Sequence, residues 1–147
     1  ISDWDVSNVE NFQYMFCYSS FNGDISNWDV SNVENFEYTF SYSSFNGDIS
    51  NWDVSNGIYM NRMFSNAEEF NVDISNWNVS NTYEMVAMFN NAINFNQDIS
   101  SWDISNVNQM NWMFDNTNSL LDEYKCEIHT SFSSNENWSY EWSEFCD

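Results

Sequence analysis

Carboxylates recur at two positions of a repeated motif, which residues 24–33 represent as Asp-Ile-Ser-Asn-Trp-Asp-Val-Ser-Asn-Val. The position before Ile holds Asp24, Asp48, Asp73 and Asp98. The position after Trp holds Asp5, Asp29, Asp53 and Asp103, with Asn78 replacing Asp in the fourth copy. We call these two sets of residues the acidic columns. If successive copies stack as coils, equivalent carboxylates lie about 4.8 Å apart, the spacing between paired strands. Charges at that distance repel by about 1 kcal/mol in water, so the fold must offset this repulsion.

Two interpretations of the acidic columns explain how the repulsion between their carboxylates is offset. The first is calcium, because hard cations take six to eight oxygen ligands and the motif supplies carboxylate, Asn and Ser oxygens. In the second, each Asp accepts hydrogen bonds from the backbone N–H groups of its own turn, as in an Asx turn. Asn78 favours the second, because an amide closes the same turn but is a weaker calcium ligand. We expect turn formation, with calcium as the alternative and no other cofactor.

A column of tryptophans is the second chemical feature of the repeat. Trp28, Trp52, Trp77 and Trp102 would suit carbohydrate stacking if their rings faced solvent. Each Trp is followed two residues later by Val or Ile, which lies on the same face of an extended segment. This register favours a place in the core.

The sequence contains no recognisable set of catalytic residues. His129 is the sole histidine, and Ser131 lies near it, but the strained G-x-S-x-G turn of a serine nucleophile is absent. A structural histidine is the simpler interpretation, and we expect the chain not to be an enzyme.

The cysteines indicate an oxidising compartment. Cys126 and Cys146 would close a loop of 20 residues in the tail, where a disulfide contributes about 3 kcal/mol. Such a bond predicts an extracellular location. Cys17 has no equivalent in the other repeats, which favours a free thiol. Three cysteines with one histidine do not form a zinc-site spacing.

The composition excludes several classes of partner. The chain has 147 residues, with two Lys+Arg against 23 Asp+Glu and a net charge of −21. Nucleic acid is excluded because phosphate binding needs clusters of Lys and Arg. An anionic bilayer surface is disfavoured by the same repulsion, and no apolar run is long enough to span a membrane.

The motif repeats with a fixed period, which is the signature of a solenoid. Its tryptophans are spaced 24, 24, 25 and 25 residues apart, starting from Trp4. The alternation around Trp predicts a short strand in each copy, paired in parallel with the next copy. Ser-Asn follows, and then apolar residues such as Val33, Phe36 and Phe40, whose spacing predicts a helix of two to three turns. The predicted fold is an α/β solenoid of about five coils, each with a short parallel strand and a short helix.

The repeat divides the chain into two parts. Residues 1–121 form the five-repeat solenoid, and residues 122–147 form a C-terminal cap with its own aromatic residues. A different terminal sequence is expected there, because the end of a solenoid must be covered. The N-terminal edge has no equivalent cap, and we expect further repeats upstream or a partner to occupy it.

The pattern W-D-[VI]-S-N-V-x-x-[FM]-x-x-[MT]-F, followed by F-N-x-D-I-S-x-W, resembles the BspA-type leucine-rich-repeat surface proteins. Within that family it resembles the branch with a 25-residue repeat that is known from mycoplasma lipoproteins. The match runs from Trp4 to Trp102. The resemblance implies a leucine-rich-repeat-like solenoid displayed outside the cell, with a role in adhesion and with no enzymatic residues.

These observations lead to two functional expectations. The first is an extracellular, non-catalytic module for adhesion to a protein or glycan at a cell surface. The alternative is a structural assembly subunit, in a filament or on a virion surface, in which copies of the chain stack through the open N-terminal edge.

Overall fold

Five coils follow one another along the chain and stack in parallel. The computed structural model describes residues 1–147. Each coil starts at a repeat tryptophan, so the coils comprise residues 4–27, 28–51, 52–76, 77–101 and 102–121. Single parallel β-bridges join successive coils at Asn11, Asn35, Tyr59, Glu84 and Gln109. The predicted repeat architecture is therefore confirmed.

The predicted strand and helix of each coil are absent. No extended strand forms around the tryptophans, and the β-bridges lie instead in the segment that was predicted to be helical. The coils consist of turns. Regular structure is confined to the tail, where helix α1 comprises Asp122–Phe132 and a 3₁₀ helix comprises Trp142–Cys146. The α/β description was wrong for the coils. None of the helices has the length and apolar character that crossing a membrane requires.

Backbone hydrogen bonds explain why the coils do not become helical. Between residues 12 and 18 of the first coil, every second N–H donates to a carbonyl of the second coil, as Phe12 does to Asn35 at 2.8 Å and Phe16 to Thr39 at 2.9 Å. The residues between them donate within their own coil, as Met15 does to Phe12 at 3.0 Å. A helix would direct every N–H back along its own segment. Here half of these donors hold the coils together.

A left-handed residue interrupts each coil twice, four residues apart. Tyr14 has φ 61° at the third position of the turn that Phe12 and Met15 close, as a type II turn requires. A helix needs φ near −60° at every residue. The residues with positive φ are Tyr14, Tyr18, Tyr38, Tyr42, Arg62, Asn66, Ala87, Asn91, Trp112 and Asn116.

A stack of phenylalanine rings forms the axis of the core. The ring centroids of Phe16, Phe40, Phe64, Phe89 and Phe114 lie 5.4, 5.7, 5.7 and 5.6 Å apart in succession. Each aromatic pair of this kind adds about 0.5–1.5 kcal/mol to the effect of burial. The apolar spacing that suggested a helix face thus lines the interior of the turned coils.

The tail covers the last coil. The Asn135 amide donates to the carbonyls of Ile104 and Val107, both at 2.8 Å. The half-buried phenol of Tyr140 accepts from the N–H of Phe114 at 2.9 Å and donates to Asp115 at 2.6 Å. In the preceding coils the N–H equivalent to that of Phe114 bonds a carbonyl of the next coil, so the Tyr140 hydroxyl replaces the partner that a sixth coil would supply.

Candidate functional site

Each carboxylate of the acidic columns closes a turn of its own coil. Asp48 accepts from the Ser50 N–H at 3.0 Å and from the Ser50 hydroxyl at 2.6 Å. The N–H of the serine two residues later donates in the same way to Asp5, Asp24, Asp29, Asp53, Asp73, Asp98 and Asp103. The serine hydroxyl also donates to Asp5, Asp24 and Asp29. Asn78 does likewise, with 3.1 Å to the Ser80 N–H and 2.7 Å to its hydroxyl. This is the geometry of an Asx turn.

The hydrogen bonds also change how these carboxylates titrate. The Ser50 hydroxyl, followed by the Ser50 N–H, lowers the pKa of Asp48, and repulsion from Asp24 partly opposes this. The hydroxyl and then the N–H of the serine two residues later also lower the pKa of Asp5, Asp24, Asp29 and Asp103. At Asp73 the N–H of Ser75 lowers the pKa more than the hydroxyl does. Because the folded pKa lies below the unfolded value of about 3.9, this stabilisation is present above that pH and is lost on further acidification.

Calcium was the alternative explanation of the acidic columns, and it stays a prediction. No group of three or more His, Cys, Asp or Glu side chains is arranged to hold a metal ion. The turn hydrogen bonds occupy one oxygen of each carboxylate, Oδ1, and leave the other free. A cation would therefore meet single oxygens from separate turns.

The tryptophan column is part of the core, as the register predicted. The rings of Trp28, Trp52, Trp77 and Trp102 are all buried. Each indole N–H donates to an isoleucine carbonyl of the preceding motif, as Trp52 does to Ile25 at 3.1 Å and Trp77 to Ile49 at 3.0 Å. Carbohydrate stacking on this column is therefore excluded, because the rings face inward.

The exposed aromatic surface lies elsewhere, on the first two coils. Tyr14 stacks on Tyr38 with ring centroids 4.7 Å apart, and Tyr18 stacks on Tyr42 at 4.6 Å. The exposed fractions of Tyr14, Tyr18 and Tyr42 are 54%, 75% and 50%. We call these four residues the tyrosine wall. All four have positive φ, so the turn geometry itself directs them outward.

The later coils replace the tyrosine wall with other residue types. Arg62 follows Tyr38 in the same column, and its guanidinium lies 5.7 Å from the Tyr38 ring centroid, a cation–π distance. Asn66 follows Tyr42, and an amide chain continues from Asn66 to Asn91 and Asn116. The coil path therefore does not require tyrosine at these positions.

A second exposed surface is a groove of about 560 Å³ across the middle coils. Ile58, Tyr59 and Tyr83 form its apolar part, and Asn56 and Asn81 lie beside them. We call it the central groove. Its volume falls within the range of small-ligand sites.

The largest cavity, about 700 Å³, lies between the last coil and the tail. Two of its polar side chains have structural roles, because Asp103 closes its turn with Ser105 and Asn135 bonds two carbonyls of the coil. His129 also has a structural contact, since its Nδ1 accepts from the indole N–H of Trp138 at 3.0 Å. These groups hold the cap in place.

The predicted cysteine pair is present. Cys126 in α1 and Cys146 in the 3₁₀ helix form a disulfide, with their Cα atoms 4.9 Å apart. Cys17 is free and half-buried, and desolvation raises the pKa of its thiol.

Sequence reasoning missed both exposed aromatic surfaces. The tyrosines of the wall recur in register, 24 residues apart, which was the available signal for that surface. The prediction of a helix in this segment prevented its recognition, because an α-helix has no left-handed turn positions that direct these side chains outward.

The comparisons with known proteins give a family. A model of the family described as "Mycoplasma protein of unknown function, DUF285" matches residues 1–82 and 41–141. No curated protein and no solved structure matches the chain. Since the two overlapping matches include nearly all of the coils and most of the cap, the chain belongs to the DUF285 family.

Proposed function

We propose that this chain is a non-catalytic, extracellular binding module that attaches to a protein or glycan at a cell surface. The observation that carries the proposal is the tyrosine wall. Exposed aromatic clusters are costly in water and typically mark interaction sites. Tyrosine is also enriched in protein interfaces, because it buries much area with little loss of side-chain entropy.

Three further observations support this role. The disulfide between Cys126 and Cys146 suits an oxidising, extracellular compartment. The motif resembles BspA-type surface proteins, for which we propose a leucine-rich-repeat relationship at the level of repeat organisation. The net charge of −21 favours a neutral or basic partner over an anionic one.

Attachment to cells tests the proposal. Beads coated with the protein are incubated with a panel of microbial and animal cells, and the retained beads are counted. The test variant carries Tyr14→Ala, Tyr18→Asn, Tyr38→Ala and Tyr42→Asn. These residue types already occupy the equivalent positions at Ala87, Asn66, Asn91 and Asn116, so the coils keep their backbone geometry.

We expect the variant to retain at least about tenfold fewer beads, since stacked aromatic contacts of this size supply that difference in affinity. Trp112→Ala is the matched control, because Trp112 is equally exposed in the fifth coil. Prior protease or periodate treatment of the cells separates a protein partner from a glycan. Equal retention of wild type and variant would refute the role of the tyrosine wall.

The second candidate is an assembly subunit, and the N-terminal face favours it. Trp4 is 57% exposed and stacks on Trp28 with centroids 6.4 Å apart, the same spacing as Trp77 and Trp102 in the interior. Another coil would therefore continue the column. Light scattering across a concentration series tests this, with a growing mass expected for assembly and a constant monomer mass contradicting it.

A further inference from the structure

We infer that the central groove is a binding site for an uncharged oligosaccharide that lies along the stacked coils. This inference rests on the proposed function, because it names a ligand class for the same module at a surface other than the tyrosine wall. Four features support this inference. The groove has exposed aromatic rings and oriented amides, the spacing between its coils is close to the length of one sugar unit, and the chain is negatively charged.

The two exposed tyrosines of the groove stand at positions where other coils have polar residues. The exposed position filled by Tyr59 holds Asn11 and Asn35 in the first two coils, and that of Tyr83 holds Glu34 in the second. Because all coils have the same backbone path, a residue type that occurs in only one coil is not required for folding. The polar residues of the other coils show that the fold does not need tyrosine at either position.

The aromatic rings of the groove are accessible to a ligand. Tyr59 and Tyr83 have exposed fractions of 39% and 44%, and Ile58 also lines the groove. Unlike the members of the tyrosine wall, neither ring stacks on another aromatic side chain. Their apolar faces therefore remain free for the C–H surface of a sugar ring.

A row of asparagines supplies oriented hydrogen-bonding groups beside the rings. Asn56, Asn81 and Asn106 each donate one amide N–H to the serine carbonyl of the preceding coil, at 2.6, 2.8 and 2.7 Å. These bonds fix the three side chains in parallel. Each amide keeps its oxygen and a second N–H for a ligand, the paired acceptor and donor that a sugar hydroxyl needs.

The spacing and charge of the groove limit the ligand. The asparagine row repeats once per coil, about 4.8 Å at the usual distance between paired backbone segments. That distance is close to the length of one pyranose unit in an extended chain. Glu34 lines the groove and the chain carries a net charge of −21, which disfavours sulfated or uronic-acid chains.

Binding of defined oligosaccharides tests the inference. Isothermal titration uses cellohexaose, chitohexaose, xylohexaose and mannohexaose as uncharged probes, and a hyaluronan hexasaccharide as an anionic probe. The groove variant carries Tyr59→Asn and Tyr83→Asn, residue types that already stand at Asn35 and Asn108 in other coils. Trp112→Ala removes a comparably exposed ring outside the groove and serves as the control.

We expect at least one uncharged hexasaccharide to bind, with an affinity about tenfold lower in the groove variant and unchanged in the control. Binding that the groove variant retains would overturn the assignment. So would the absence of binding by all four uncharged probes, or tighter binding of the anionic probe.

The two proposals fail separately. Bead attachment that depends on the tyrosine wall, without binding of any uncharged probe, refutes the groove assignment and leaves the proposed function standing. Saccharide binding that the groove variant loses, with no bead attachment to any cell, supports the groove and refutes cell attachment through the wall.

Discussion

At the residue scale, three recurring polar positions of the motif bind backbone groups with their side chains. The indole of Trp52 both fills the core and binds the Ile25 carbonyl. The amide of Asn56 binds the Ser31 carbonyl, and Asp48 binds the N–H of Ser50. No buried side-chain nitrogen or oxygen lacks a partner. In a fold with few regular elements, these side-chain bonds add to the backbone hydrogen bonds between coils, so that buried polar groups are satisfied.

The tryptophan hydrogen bond gives a prediction at this scale. We expect Trp52→Phe to lower the free energy of unfolding by about 1 kcal/mol, because the Ile25 carbonyl loses one of its two donors and keeps only the N–H of Trp28. Urea unfolding followed by circular dichroism measures the change. Trp4→Phe is the control, since Trp4 is exposed and its indole N–H bonds no protein group. Equal effects of the two substitutions would show that the hydrogen bond contributes nothing.

At the element scale, the cap is the one part with regular helices. A disulfide joins its two helices, and aromatic packing joins the cap to the last coil. The disulfide links α1 to the 3₁₀ helix. Trp138 packs edge-on against Phe132 and Phe114, with centroids 5.4 and 6.1 Å away. The cap therefore continues the phenylalanine stack of the coils into its own aromatic cluster.

Removal of the disulfide tests how far the coils depend on the cap. We expect Cys126→Ser with Cys146→Ser to lower the free energy of unfolding by about 3 kcal/mol, the usual value for a loop of this length. Hydrogen exchange should show the larger loss of protection in the fifth coil, because its exposed backbone groups pair with the cap. Cys17→Ser is the control. A uniform loss over all coils would contradict this order.

At the scale of the whole molecule, the net charge of −21 is the main opposing force. Only Arg62 and Lys125 carry positive charge, and Lys125 is paired with Asp122 at 3.1 Å. The phenylalanine stack and the hydrogen bonds between coils hold the acidic columns together despite this repulsion. Its cost depends on ionic strength, because exposed charges are screened by salt.

Salt therefore provides a prediction that also tests calcium. We expect the melting temperature to rise from about 10 mM to 500 mM ionic strength, because screening reduces the repulsion in the compact state. Calcium, magnesium and sodium chlorides at matched ionic strength should give equal shifts if the carboxylates serve only as turn acceptors. A larger shift with calcium, reversed by chelator, would establish calcium binding by the acidic columns.

The sequence by itself determined the repeat, the inward-facing tryptophans and the disulfide. These follow from short-range rules: a fixed period, the register of Trp with Val30 and its equivalents, and two cysteines that bracket the tail. Only the tertiary structure decided the backbone path. Apolar residues spaced as Val33, Phe36 and Phe40 are compatible with a helix or with a turned coil. The choice depends on whether each N–H bonds its own segment or the neighbouring coil, and that partner is many residues away. The same choice placed the four tyrosines of the wall and the rings of the central groove on the outside.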